Sequence, residues 1–111
     1  MLSIAQIVID SADAAKLAGF WSQVLGRPVD PGANEHFATL GATPKLMFLQ
    51  VPEPKQAKNR LHLDLHGDDW RAEVERVVAL GATKLSEHQE YGIEWATLAD
   101  PEGNEFDVAA S

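Results

Sequence analysis

Few side chains in this sequence are of the types that commonly take part in chemistry. The 111 residues contain no cysteine and four histidines, so thiol nucleophiles and zinc-thiolate sites are excluded. A metal ion would need histidine, carboxylate or amide ligands. The sequence also shows no Ser-His-Asp spacing, no glycine-rich phosphate loop and no dinucleotide fingerprint. The sequence therefore lacks the motifs that serine hydrolases and nucleotide-dependent enzymes use.

The histidines and one tryptophan differ in their settings. His62 lies in a stretch that reads as a strand, where it is either hydrogen-bonded to a neighbour or a metal ligand. His36 and His66 lie beside predicted loops and are expected to be exposed, and His88 reads as part of a polar hairpin. Trp95 lies on a predicted strand, where core packing and contact with a ligand both stay open.

Composition limits the classes of partner. Seventeen acidic and nine basic residues give a formal charge of −8, which repels nucleic-acid phosphates and anionic membrane surfaces. The first residues carry no basic region, and no apolar run approaches the roughly 20 residues of a membrane span. With 45% hydrophobic residues the chain can close one core. We expect a single cytoplasmic domain over residues 1–111 that binds neither nucleic acid nor membranes.

The helices that help to position these residues occur twice along the chain. Residues 13–26 and 68–81 each carry an aspartate, an amphipathic apolar stripe and a Leu-Gly stop at matching spacing. Aspartate is a good N-cap, and glycine suits the left-handed position that ends a helix. The spacing predicts two equivalent helices, near 13–25 and 69–80. Trp21 and Trp70 lie on the apolar stripes, which predicts that both pack in the core.

Strand patterns surround both predicted helices. The segments 36–40 and 94–98 both end in Ala-Thr-Leu, and in each half the leucine lies eight residues before a phenylalanine. Each half therefore reads as a βαβββ module, with the polar, proline-containing segment 51–59 between them. The predicted strands are residues 4–10, 28–30, 36–40 and 45–51 in the first half and 60–65, 83–89, 93–98 and 104–108 in the second.

Several of these segments together resemble the glyoxalase-like domains of the vicinal oxygen chelate superfamily, which also includes bleomycin-resistance proteins and dioxygenases. The resemblance covers nearly the whole chain. It implies an α+β fold in which two βαβββ modules, at about 1–52 and 59–111, form an incomplete eight-stranded barrel around a cavity. The motifs that carry it are Phe20-Trp21 within 13–26, KNRLHLD at 58–64, LGA at 80–82, and Trp95 followed by DPEGNEF at 100–106.

The resemblance also implies where a divalent ion would bind. In that superfamily the first and last strands of each module supply ligands, and the matching positions here are Gln6, His62 and Asp107. The fourth position falls on Leu49, or on Gln50 if the repeat slips by one residue. Histidine and aspartate suit zinc, nickel, manganese or iron, whereas Gln6 offers a neutral amide and Leu49 no donor. Whether a metal cofactor is bound at all stays open.

Strand alternation predicts that Gln6, His62 and Asp107 point into one shared space, because every second side chain of a strand lies on the same face. The apolar neighbours Leu61 and Leu63 would then face the second helix. The candidates for lining a cavity are Gln6, Gln50, His62, Trp95 and Asp107.

Three functions stay open on these residues, and in the third of them the cavity is vestigial and the protein works through its dimer or a protein partner. In the first, the protein is a metal-assisted lyase, isomerase or related enzyme acting on a substrate with adjacent oxygens, and His62 and Asp107 are essential. In the second, it is a non-catalytic small-molecule binder of the drug-sequestering, resistance type, and Trp95 matters more. In that case His62 is an ordinary hydrogen-bonded residue and Asp107 pairs with Arg60 or Lys45.

Exposed strand edges point to self-association. A sheet built by so short a chain leaves edge strands unpaired, and pairing two copies is a common way to cover them. We therefore expect a homodimer.

Overall fold

The structure is a computed structural model that describes all of residues 1–111. The chain divides into two compact units, residues 1–54 and 55–111, and the division falls inside the segment 51–59. Each unit contains one helix and one sheet, so the fold class is α+β, as the sequence predicts. Unit 1 comprises β1 (Ile7–Ser11), α1 (Ala14–Leu25), β2 (Phe37–Leu40) and β3 (Leu46–Gln50). Unit 2 comprises β4 (Asp64–Gly67), α2 (Trp70–Leu80), β5 (Thr83–Glu90), β6 (Ile93–Ala99) and β7 (Glu105–Ala110).

Both helices begin and end where the sequence predicts. Asp13 and Asp69 cap α1 and α2, and each accepts a hydrogen bond from the backbone N–H three residues later. Gly26 follows α1 in a left-handed conformation, with φ 67°. Neither helix is long and apolar enough to cross a membrane.

The sheet of unit 1 has the strand order β1-β3-β2, with β1 parallel and β2 antiparallel to β3. The strand predicted at 28–30 does not form, so the chain has seven strands rather than eight. Pro28 and Pro31 have no N–H to donate to a neighbouring strand, which explains the loss. Asp30 between them still binds Thr39: its backbone N–H donates to the Thr39 carbonyl oxygen (2.9 Å), and its carboxylate accepts from the Thr39 hydroxyl (2.6 Å).

The sheet of unit 2 has the order β4-β7-β6-β5, with β4 parallel to β7 and the other pairs antiparallel. The buried Asp100 closes the turn between β6 and β7, because its carboxylate accepts hydrogen bonds from the backbone N–H groups of Glu102 and Asn104. Gly103 in this turn has φ 90°, a conformation that favours glycine. Unit 2 therefore contains the complete βαβββ module.

One face of each sheet packs on the helix of its own unit. Leu61, predicted to face α2, is instead 86% exposed, because the pairing of β4 begins only at Asp64. The largest buried side chains of unit 1 are Leu17, Trp21, Leu40, Leu46 and Phe48, and unit 2 buries Val74, Val77, Leu98, Phe106 and Val108.

The two units differ in strand register after their shared Ala-Thr-Leu segments. Thr39 on β2 faces Met47 on β3, whereas Thr97 on β6 faces Asp107 on β7. The first pair is eight residues apart in the chain and the second is ten apart, so the β6–β7 hairpin is two residues longer. A slip of two residues keeps every side chain on its own face, since strand side chains alternate with a period of two.

This slip corrects the alignment of the two halves. In the sequence, Leu40 to Phe48 and Leu98 to Phe106 are both eight residues apart, so a direct alignment of the halves does not reveal the longer hairpin of unit 2. By register, the unit 1 counterpart of Asp107 is Met47, not the Leu49 or Gln50 that direct alignment suggests.

Candidate functional site

The face of the unit 2 sheet that turns away from α2 carries polar side chains. Asp64 on β4, Asp107 on β7, Thr97 on β6 and Ser86 on β5 are register partners and form one row across the four strands. His62 lies two residues before Asp64 and therefore on the same side of the chain. These residues alternate with the buried residues that pack on α2.

His62, Asp64 and Asp107 come together in a cluster. Nδ1 of His62 is 2.8 Å from Oδ1 of Asp64 and 3.8 Å from Oδ2 of Asp107. One ligand-type atom from each residue lies within 4.8 Å of the other two. The side chains of Asp107, His62 and Asp64 are 22%, 43% and 73% exposed. The cluster thus has a deep carboxylate on the sheet and an open side toward solvent.

Thr97 orients the Asp107 carboxylate. The Thr97 hydroxyl donates to Oδ1 of Asp107 at 2.7 Å, which leaves Oδ2 as the oxygen nearer His62. The backbone N–H of Asp107 donates to the Leu63 carbonyl oxygen at 3.0 Å and ties β7 to the segment that carries His62. Hydrogen bonds of this kind fix the direction of metal ligands. The partners of Asp107 in unit 2 are therefore Thr97 and His62 rather than Arg60.

A second carboxylate, Glu105, lies two residues before Asp107 on the same face. It accepts a hydrogen bond from the backbone N–H of Asn59 at 3.1 Å and pairs with Lys55 Nζ at 3.4 Å. Burial alone would raise the pKa of the Glu105 carboxyl. The backbone N–H groups of Asn59 and of Glu105 itself, together with the Lys55 ammonium, outweigh burial and hold that pKa below its usual value. Glu105 is thus an ionised, paired anchor for the start of unit 2.

Trp95 lies one row further along the strands and stacks on His88. The ring centroids are 5.0 Å apart and the planes are 21° from parallel. The Ser86 hydroxyl lies 2.8 Å from Nε2 of His88. His88 is thus a half-buried part of this face, whereas His66 is exposed as predicted and lies 3.2 Å from the Ser111 hydroxyl. Trp95 itself is half-buried and does not belong to the core.

Unit 1 has no comparable cluster. Val8 faces Met47 just as Asp64 faces Asp107, and Gln6 directly precedes β1. Neither valine nor methionine offers an oxygen or nitrogen donor. Among these counterparts of the cluster, Gln6 is therefore the one polar group, and it is half-buried.

Gln50 lies on the opposite face of the unit 1 sheet from Gln6. It alternates with Leu49 and shares its side with the buried Phe48. Its amide nitrogen donates to the Ala12 carbonyl oxygen at 2.9 Å, and its Oε1 lies 2.5 Å from Nδ1 of His36. These contacts give Gln50 a role in joining the ends of β1, β2 and β3.

The donor set of the cluster fits a divalent ion. One imidazole nitrogen and two carboxylate oxygens make three ligands, the number common in catalytic sites, with further positions left for water or substrate. At bond lengths of about 2.1 Å, two ligands of one ion lie at most about 4.2 Å apart. The ligand atoms here lie within 4.8 Å of one another, close to that limit, and the Asp64 side chain is 73% exposed. Mixed nitrogen and oxygen donors suit zinc, manganese, iron or nickel.

Sequence reasoning missed Asp64. The resemblance points to one ligand per strand and gives no reason to include a second residue beside His62. The signal was nonetheless present, because His62 and Asp64 are separated by one residue in an extended segment, a spacing that places both side chains on one face.

Several solved structures have this fold. The chain is similar to a glyoxalase/bleomycin resistance protein/dioxygenase family enzyme from Burkholderia phytofirmans, at TM-score 0.82 and 19% identity, with 98% of each chain covered. Its TM-score with lactoylglutathione lyase from Agrobacterium tumefaciens is 0.70, at 18% identity over 98% of this chain and 93% of that one. A mutant of the fosfomycin resistance protein FosX from Listeria monocytogenes, complexed with Mn(II) and 1S,2S-dihydroxypropylphosphonic acid, matches at TM-score 0.77 and 16% identity, over 98% and 90% of the two chains.

At these identities the similarity of structures shows the fold alone. No curated protein matches the chain in sequence. The family model of the glyoxalase-like domain matches residues 6–109, which is nearly the whole chain. The chain therefore belongs to the glyoxalase-like domain family.

Proposed function

We propose that this protein binds a divalent metal ion through His62, Asp64 and Asp107 and acts, as a lyase, isomerase or related enzyme, on a small molecule with oxygens on adjacent carbons. The observation that carries the proposal is the convergence of three ligand-type atoms within 4.8 Å on an open sheet face. Two similar proteins support it, since one is a lactoylglutathione lyase and the other was complexed with Mn(II) and a dihydroxypropylphosphonic acid.

The residues of the cluster have distinct roles in this proposal. A divalent ion held there supplies Lewis-acid polarisation of substrate oxygens. Asp107, fixed by Thr97, is the rigid carboxylate of the set, and His62 is the nitrogen ligand. Asp64 is the most exposed of the three at 73% and is the carboxylate best placed to take a proton from a substrate that arrives from solvent.

Metal titration tests the proposal directly. We expect the protein to bind Mn²⁺ or Zn²⁺ with one site per chain by isothermal titration calorimetry, and His62→Ala and Asp107→Asn to weaken binding by roughly 100-fold or more. His36→Ala and Asp68→Asn are matched controls, because both residues are exposed and lie outside the cluster. Unchanged affinity in the two cluster variants would refute the metal site.

Turnover is measured on the metal-loaded protein with a panel of 1,2-diols, α-hydroxy ketones and α-keto aldehydes. Conversion of a panel member that is lost in Asp64→Asn supports the enzyme. Metal binding without conversion of any member, together with saturable binding of one, would support the second candidate.

That second candidate is a non-catalytic small-molecule binder of the resistance type. It is favoured by the 2.8 Å contact between Nδ1 of His62 and Oδ1 of Asp64, since a hydrogen bond of that length gives each side chain a partner without a metal. In this case His62→Ala leaves ligand affinity nearly unchanged, whereas removal of the Trp95 ring lowers it.

We also propose that the protein is a homodimer. Large apolar side chains are exposed in the opening segments of both units, namely Met1, Leu2, Ile4 and Leu61, and β1 and β4 are edge strands of their sheets. Sedimentation should give about twice the chain mass of 12.1 kDa, and Leu61→Asp should shift it toward the single chain. A single-chain mass for the unaltered protein would contradict the dimer. A cytoplasmic location stays a prediction from the sequence.

A further inference from the structure

A serine and a histidine of β5 contact each other on the open face of the unit 2 sheet. The Ser86 hydroxyl oxygen lies 2.8 Å from Nε2 of His88, and both side chains are half-buried. Residues separated by one position share a face of a strand, so the extended backbone holds this pair together. A hydroxyl within hydrogen-bond reach of an imidazole nitrogen is the arrangement that activates a serine as a nucleophile.

A β-bulge sets the direction of both side chains. The register between β5 and β6 shifts by one residue after Lys84, so that Ser86 faces Thr97. If the register of Lys84 continued, Ser86 would face the buried Ala96, and His88 would lie with it on the side of α2. Bulges that redirect a side chain are frequent beside active sites. This bulge brings the pair to the open face of the sheet.

Neighbouring groups orient the imidazole and leave the serine hydrogen to it. The Trp95 ring stacks on His88, with centroids 5.0 Å apart and planes 21° from parallel, which restrains rotation of the imidazole. The Thr97 hydroxyl donates its single hydrogen to Asp107 at 2.7 Å and has none left for Ser86. When the imidazole carries its own hydrogen on Nδ1, Nε2 accepts the hydrogen of the Ser86 hydroxyl. A base that is itself oriented by a third group is the second mark of an activated nucleophile.

A second serine–histidine contact in unit 2 differs from this pair. The Ser111 hydroxyl lies 3.2 Å from Nδ1 of His66, and both side chains are exposed. The Ser86–His88 contact is shorter and more buried, and it has the stacked indole. The exposed pair therefore serves as a control within the same chain for a serine beside a histidine that lacks these features.

We infer that Ser86 and His88 are a nucleophile and its base for acyl transfer from small carboxylic esters with good leaving groups. Oγ of Ser86 forms a bond to the acyl carbon while its proton passes to Nε2 of His88. The bond from the acyl carbon to the leaving oxygen breaks, and that oxygen takes the proton from Nε2. A water molecule then hydrolyses the acyl-serine, which releases the carboxylic acid and restores the hydroxyl. This activity goes beyond the proposed function, because it needs no metal ion.

The probe is p-nitrophenyl acetate, mixed with protein that has been treated with EDTA to remove metal ions. We expect an initial burst of one p-nitrophenolate per chain, and peptide mass mapping after an acid quench should find the acetyl group on Ser86. Ser86→Ala should abolish the burst. His88→Gln should slow it roughly 100-fold, within the usual contribution of a general base. The burst of the unaltered protein should also be slower in D₂O, because a proton moves as the new bond forms.

Matched variants of the exposed pair locate the effect. Ser111→Ala and His66→Gln make the same changes at the second serine–histidine contact and should leave the burst unchanged. All four variants should keep the circular dichroism spectrum of the unaltered protein, because none of these side chains belongs to the core. A lost burst in Ser86→Ala is then a loss of the nucleophile and not of the fold.

The outcomes separate acyl transfer from the metal site. An acetyl group on another residue, a full burst in Ser86→Ala or an unchanged rate in His88→Gln overturns the nucleophile and its base, even if Zn²⁺ binds normally. If calorimetry shows no binding of Zn²⁺ or Mn²⁺ but the EDTA-treated protein gives the burst and the acetylated Ser86, acyl transfer stands and the proposed metal function fails.

Discussion

Thr39 in unit 1 and Thr97 in unit 2 occupy equivalent strand positions, and each donates a hydrogen bond to an aspartate. Thr39 binds Asp30 at 2.6 Å, in the proline-flanked segment where a strand is missing. Thr97 binds Asp107 at 2.7 Å, beside His62. The same hydroxyl holds a loop in one unit and orients a candidate ligand in the other. The role of the threonine thus depends on which carboxylate the surrounding chain brings to it.

The helices show a matching contrast. Six residues of α1 are buried against two of α2, and the fully buried tryptophan of the chain, Trp21, belongs to α1. The ligand-type cluster and the stacked rings lie in unit 2. The helix of unit 1 therefore contributes more buried side chains to its core, and unit 2 carries the groups that could do chemistry.

The largest expected effect is on the core of unit 1. Trp21 and Val77 both lie eight residues after the N-cap of their helix, and each is 2% exposed. Trp21→Ala should lower the free energy of unfolding by about 3–5 kcal/mol, and Val77→Ala by roughly 1–2 kcal/mol, because the indole buries more apolar surface. Urea unfolding followed by circular dichroism measures both. If the two variants lost the same free energy of unfolding, the larger core assigned to unit 1 would be contradicted.

The next prediction concerns the donors of unit 2. Asp64→Val installs the residue that unit 1 has at the corresponding position, Val8. Loss of one carboxylate ligand should lower Mn²⁺ or Zn²⁺ affinity about 10- to 100-fold by calorimetry. Asp68→Val changes a nearby exposed acid outside the cluster and should have no such effect. If both variants bind alike, Asp64 is not a ligand.

The two threonines should affect different properties, metal affinity for Thr97 and stability for Thr39, and both effects should be smaller than those above. Thr97→Val should reduce metal affinity about tenfold, since Asp107 loses the contact that orients it. Thr39→Val should leave metal affinity unchanged and lower the free energy of unfolding by about 1–2 kcal/mol, because Asp30 loses a hydrogen bond at a buried hydroxyl. Equal effects of the two variants on metal affinity would remove the distinction between the units.

The smallest effect is expected at Glu105, whose unit 1 counterpart by register is Lys45. Its pKa in the folded protein is below the ordinary value of 4.5, so its ionised form stabilises the fold above that pH. The stabilisation is lost as the pH falls through the lowered pKa. Glu105→Gln should therefore cost about 1 kcal/mol at pH 7 and progressively less as the pH falls below 4.5. A cost that does not change with pH would show that Lys55 and Asn59 do not act on the charge.

The sequence predicted the helices, their caps and the face on which His62 and Asp107 lie. These features follow from local rules: the cap residue, the helical period and the alternation of strands. The prediction of a strand at 28–30 was wrong, because two prolines override a weak apolar pattern. The register of β7 could not be read from the sequence, because the length of a hairpin depends on how Asp100 closes the turn, which is a three-dimensional contact.

The longer β6–β7 hairpin has a consequence for how such a fold tolerates insertions and deletions. With the turn at 100–104 kept, removing one residue from the start of β7 would invert the strand, so that Asp107 would enter the core and Phe106 would face solvent. Removing two, Glu105 and Phe106, would keep apolar residues on the core side and bring Ala109, instead of Asp107, opposite Thr97. Length changes in even steps therefore exchange the functional groups on the open face without disturbing the packing behind it, and two copies of one module can diverge in chemistry while they keep the same fold.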